Sequence, residues 1–191
     1  MFSSLFSKKP KAEDLAARLS LFERGDQHAA ALKLEGPNAP VLRNFFGSLY
    51  VSYAFDLPSV FQAVLGEDQK RLNLTDDQLH EAALRGVERR ALPLLKLHRD
   101  SDYFALTCGG NFEATLLLID SVWNQARTEL TQDDVVAFAP SKDLLFFCAK
   151  NSHEGRSKLQ SLRARIKSDG HLTLAPDFLL REGHKWTPFE P

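Results

Sequence analysis

The chain has 191 residues, 43% of them hydrophobic, with 24 Lys and Arg against 25 Asp and Glu for a formal net charge of -1 at pH 7. That apolar content suits a packed globular core and argues against disorder, while the balanced charge gives no global field to draw the chain onto nucleic acid or an anionic membrane. Its 2 cysteines are too few for a disulfide framework and suit a reducing cytoplasm, and no zinc-ligand spacing is present.

Residues 1–10 carry Phe2, Leu5 and Phe6 ahead of Lys8 and Lys9. This order of charge and apolar residues is wrong for a secretory signal and predicts a flexible leader, with residues 11–191 forming a single α+β domain. No stretch is long and apolar enough for a membrane-spanning helix. From Ala12 to Arg24, Leu15, Leu19 and Phe22 recur at helical spacing and Gly25 follows, which predicts an amphipathic helix. Ala30, Leu32 and Leu34 alternate as in a short strand, and Leu49, Val51, Tyr53 and Phe55 as in a longer one. Asp56 with Pro58 then reads as a helix start, Gly66 as that helix's end, and Thr75 with Gln78 as a capping box opening a helix over 76–90. Arg85, Arg89 and Arg90 fall where positive charge complements a helix carboxyl end.

The second half has a regular order. Strands over 94–98 and 103–108 make a hairpin, and Gly109-Gly110-Asn111 releases the chain into a helix over 112–129. On it, Phe112, Leu116, Ile119, Trp123, Ala126 and Leu130 form one face, widened by Leu117, Leu118 and Val122, so this helix is expected at the centre of the core. A second hairpin over 135–139 and 144–149 turns at Pro140-Ser141-Lys142-Asp143, and Asn151 with Glu154 caps a further helix. The expected class is therefore α+β, a mixed β-sheet with packed helices and ββαββα order in the C-terminal half, closed by a hairpin over 178–181 and 185–189. Leu116, Ile119, Trp123, Phe138 and Phe146 are expected to be buried together.

Three motifs in sequence carry a resemblance: Leu79-His80-Glu81-Ala82-Ala83, then Gly109-Gly110-Asn111-Phe112-Glu113-Ala114 followed by aliphatic 115–119, then Asp134-Val135-Val136-Ala137 with Pro140-Ser141-Lys142-Asp143-Leu144-Leu145. In this order the chain resembles the YtpQ-like family of bacterial proteins of unknown function over about residues 48–189. The resemblance implies a bacterial cytoplasmic protein and carries no mechanism, catalytic residue or cofactor with it. Where the family pattern commonly has arginine in the second turn, this chain has Lys142, which weakens any need for a bidentate contact there.

Two chemistries are weighed against a non-catalytic binding or protein-interaction module. Cys108, at the end of a strand and before a helix start, could serve a small-molecule hydrolase or transferase as nucleophile. Its parity with Phe104 and Leu106 instead points it into the core, as Cys148 shares parity with Phe146. Arg156, Lys158, Arg163, Arg165 and Lys167 lie on the helix after Asn151 without interleaved aromatics, so they read as a solvated face and not as a nucleic-acid platform. Chain direction places Gly109, Gly110 and Asn111 on the same sheet edge as Ser141 and Lys142. These five residues form the candidate site for a small anion or a partner's carboxylate, with Glu113 as a competing first-turn carboxylate. No metal or cofactor is expected, and the partner is an unknown protein or a small anionic ligand.

Overall fold

The computed structural model of the protein describes residues 9–21, 36–47, 49–131, 133–171, 173–174 and 177–190. The strand expected at Ala30, Leu32 and Leu34 lies outside these residues, as does nearly all of the 1–10 leader.

A 3-10 turn, Ala12–Asp14, leads into β1 (Leu15–Leu21), which with β2 (Leu42–Phe46), β3 (Leu49–Leu57) and β4 (Val60–Ala63) makes a four-stranded antiparallel sheet in which β3 pairs with all three others. Helices α1 (Gly66–Arg71) and α2 (Asp76–Ala91) follow. The capping box of α2 forms as its sequence dictates: Gln78 N donates to Thr75 Oγ1 at 3.3 Å and Thr75 N to Gln78 Oε1 at 2.9 Å. Leu79, Ala83, Val87 and Ala91 bury one face of α2 against the first sheet. Gly86 lets the helix close in, since a Cβ there would sit 1.7 Å from the Leu15 carbonyl oxygen.

The second sheet has six antiparallel strands in the order β10-β9-β7-β8-β6-β5, built from β5 (Lys96–Arg99), β6 (Phe104–Thr107), β7 (Val135–Ser141), β8 (Leu144–Ala149), β9 (Phe178–Glu182) and β10 (Lys185–Phe189). Helix α3 (Asp120–Glu129) precedes β7, and α4 (His153–Ser168) follows β8. The α+β class and the ββαββα order with its closing hairpin are those of the sequence reading, but the strands of the described residues divide between two antiparallel sheets instead of sharing a mixed one.

Four local expectations are overturned. Within the 12–24 segment, Leu15–Leu21 is strand and residues 22–24 lie outside the described residues; Leu15, Ala16 and Ala17 are all fully buried between β3 and α2, and pairing along the whole of β1 outweighs a leucine spacing that fits either period. Asp56 does not start a helix. β3 continues to Leu57, Pro58 and Ser59 form the turn into β4, Asp56 meets Arg90 at 2.5 Å, and Gly66 opens α1 instead of ending a helix. The cap of α4 is Ser152, whose Oγ accepts from Gly155 N at 3.0 Å, not Asn151.

The fourth correction concerns the central helix. It is broken at Ile119, which is extended (φ -103°, ψ 98°), between a 3-10 turn at Ala114–Leu118 and α3. Leu116, Leu117 and Ile119 are each at most 2% exposed. A continuous α-helix turns its residues through all directions, whereas the break lets three apolar side chains within four residues face cover. Two carbonyls at the break accept from indoles, Trp123 Nε1 donating to Leu116 O at 2.7 Å and Trp186 Nε1 to Leu117 O at 2.8 Å.

This broken segment lies in a core shared by both sheets, with Leu15, Val51 and Phe55 from the first and Leu106, Ala137 and Phe147 from the second. On the other face of the second sheet, α4 packs Leu159 and Ile166 against Val136, Phe138, Cys148 and Phe178, with Phe146 alongside. Phe138 and Phe146 are therefore in a different layer from Leu116, Ile119 and Trp123, because period-2 strand residues face opposite sides of the sheet.

Candidate functional site

Gly109 (φ +102°) and Gly110 (φ +83°) take left-handed backbone angles that L side chains rarely adopt, and this bends the chain sharply after β6. The bend wraps three amides around one carboxylate. Cys108 N and Gly110 N donate to Glu113 Oε1, both at 2.7 Å, and Phe112 N donates to Glu113 Oε2 at 3.1 Å. Glu113 is 1% exposed, so the chain carries its own anion in the cradle formed by the turn.

The second turn lies alongside, with Ala114 N donating to Lys142 O at 3.1 Å. Ser141 is nearly buried and its Oγ donates to Asp143 Oδ1 at 2.6 Å. The Asn111 side chain and the Lys142 ammonium are exposed and enter none of the hydrogen bonds or ion pairs of the described residues. Of the five candidate residues, Gly109 and Gly110 thus shape the turn, Ser141 is engaged within its own turn, and Asn111 and Lys142 are available.

Cys108 is buried, and burial, then the neighbouring Glu113 carboxylate, pushes its thiol up to about 12. Burial does the same to Cys148, also up to about 12. Both are free cysteines enclosed in separate layers of the core. Several basic groups of α4 are spent within the protein: Lys158 pairs with Asp102 at 2.8 Å and Asp100 at 3.5 Å, while Arg163 meets Asp177 at 3.7 Å and covers the Phe178 ring. Among the described residues no group of three or more His, Cys, Asp or Glu is placed to hold a metal ion, and no helix is long and apolar enough to cross a membrane.

The chain is similar to a UPF0354 protein of Listeria monocytogenes serotype 4a (strain HCC23). The match is 25% identical over 121 residues, covering 63% of this chain and 45% of the relative, so the chain spans less than half of that protein's length. A distant relationship to an uncharacterised bacterial family follows, compatible with the YtpQ-like resemblance. No family model and no solved structure matches the chain.

Sequence reasoning missed a second polar cluster, where β2 and α2 meet α3, β9 and β10. Arg181, 1% exposed, donates through Nη2 to Asp120 Oδ1 at 2.6 Å, and Asp120 Oδ2 lies 3.1 Å from His184 Nδ1. His80 Nδ1 is 3.0 Å from the Tyr53 hydroxyl, and burial, followed by the Arg43 charge, lowers the His80 pKa. One signal was present: in the alternating strand Phe178–Glu182, Arg181 shares parity with the apolar Leu179.

Proposed function

We propose that the chain is a non-catalytic binding or protein-interaction module of the bacterial cytoplasm, meeting a partner's carboxylate or a small anion at the 109–113 and 140–143 turns. What carries this reading is the side-by-side position of the two turns, with the Lys142 ammonium and Asn111 amide uncommitted at the surface. Because Glu113 already occupies the amides of Cys108, Gly110 and Phe112, recognition falls to these side chains. Exposed side chains of this kind suit a carboxylate presented on a partner's surface better than an ion held in an amide cradle. A Cys108 nucleophile is disfavoured because a thiolate there would form in a sealed core beside a carboxylate. The free state of both cysteines accords with a reducing compartment.

The test is a titration with a short glutamate-rich peptide, and separately with phosphate and nucleotides, while the backbone amides of Gly110, Asn111 and Lys142 are followed by NMR. Saturable shifts at Asn111 and Lys142 that disappear in Lys142→Ala are expected. No response at these three amides at millimolar ligand would remove the two turns from the binding reading.

A further inference from the structure

We propose that the cleft between the two sheets is a binding site for a small organic carboxylate, anchored on Arg181. The cleft has a volume of about 180 Å³, and Arg43, His80, Asp120, Arg181, His184 and Trp186 contribute to its walls. None of its lining residues belongs to the two turns discussed above.

Arg181 is what makes this a built site. Its side chain is 1% exposed, yet Nε has no hydrogen-bond partner among the described residues. A guanidinium carries five donors in a fixed plane, and the bond to Asp120 uses one of them from Nη2. The plane is set against Trp186, whose ring centroid lies 5.4 Å from the guanidinium carbon. A buried donor left unmatched is costly, and a buried cation more so. Asp120 answers only part of this demand, since its own side chain is 58% exposed and is shared with His184. The cleft is thus walled by a desolvated, oriented cation that keeps an unused donor.

Charge and size narrow the ligand. Arg43 adds a second cation from the opposite sheet; its Asp77 partner, 2.9 Å away, is 83% exposed and does not line the cleft. Among the described residues, Asp120 is the one carboxylate in the wall. A monoanionic carboxylate group adds one charge beside it, whereas a phosphate dianion adds twice the repulsion. The planar fork of arginine also matches a carboxylate in two parallel hydrogen bonds. A cleft of about 180 Å³ has room for a small acid.

The test follows the arginine Nε–H signals in a ¹H–¹⁵N spectrum of the full chain at constant ionic strength, with sodium acetate, sodium propionate, sodium phosphate and sodium chloride titrated in parallel. Acetate or propionate is expected to move the Arg181 signal saturably. In Arg43→Ala, a change at an exposed side chain that should leave the fold intact, half-saturation is expected to need about tenfold more ligand, the size of a lost charge-assisted contact. An unmoved Arg181 signal, a shift that phosphate or chloride reproduces, or an unchanged half-saturation in Arg43→Ala would each overturn the proposal. Asn111 and Lys142 signals in the same spectra keep this result apart from that of the two turns.

Discussion

Glu113 and Arg181 are both buried charges at 1% exposure, one beside the Gly-Gly turn and one beside the inter-sheet cleft, and they are treated in opposite ways. The Glu113 carboxylate takes three backbone amides, all within five residues of it in sequence. Arg181 reaches across 61 residues for Asp120, keeps an unmatched Nε and borders open space. A closed polar site of the first kind holds the fold, because every group has a local partner. An open one adds little to the fold and leaves a cation with donor capacity to spare.

This contrast orders the expected effects of substitution. Glu113→Ala should be the most damaging, at about 3 to 5 kcal/mol, since it strips the acceptor from buried amides and each unmet buried donor costs roughly 1 to 3 kcal/mol. A loss below about 1 kcal/mol in denaturant unfolding would mean that water replaces the carboxylate at no cost. In the same variant the Cys108 thiol should come down from about 12 while staying above its ordinary value of 9, because burial, the larger cause, remains. The wild-type protein should lose stability as pH rises from 9 towards 12. In that window the unfolded chain gives up the Cys108 and Cys148 protons that the folded chain retains, so folding is favoured fully below pH 9 and progressively less above it. Replacing both cysteines by alanine should flatten a pH-dependent melting curve between pH 9 and 10, while Tyr53, whose hydroxyl burial pushes up from 10 to about 12, keeps a slope above that.

On the other side of the contrast, Asp120→Ala should cost about 2 kcal/mol by leaving the Arg181 charge without its carboxylate, while Arg181→Met should cost less, below about 1.5 kcal/mol, since an apolar side chain of similar volume removes the charge altogether. The reverse ranking in chemical denaturation would make the pair a mainstay of the fold and end the comparison. Lys142→Ala, at an exposed turn, should move stability by no more than about 0.5 kcal/mol. Under the proposed reading its effect falls on partner binding.

What could be read from the chain follows the same division between local and distant. The Thr75 cap, the three hairpins of the second sheet and the nearness of the two turns depend on residues close in sequence or on chain direction, and all are present. The 12–24 segment was misread because its apolar spacing fits a helix or a strand equally, and the 56–66 segment because Asp56 with Pro58 suits a hairpin turn as well as a helix start. What decided them was β3, some 30 residues from β1, and α2 pressing on both. The break at Ile119 depends on Trp186, 69 residues from the carbonyl it serves. Glu113 was visible as a first-turn carboxylate, but nothing local announced that a histidine of the last hairpin and an arginine of β9 would meet Asp120.

The chain's 2 tryptophans are not independent reporters. Trp123 and Trp186 stand edge to face, with ring centroids 4.8 Å apart and planes at 86°, and each indole N–H is tied to the broken segment shared by both sheets. Their excited states should couple and give a paired near-ultraviolet circular dichroism band that vanishes when either ring is replaced by phenylalanine. That band and the emission colour would then track a single event, the joining of one sheet to the other. Because Trp186 also lies beneath the Arg181 guanidinium, filling of the cleft becomes visible by light without any attached label.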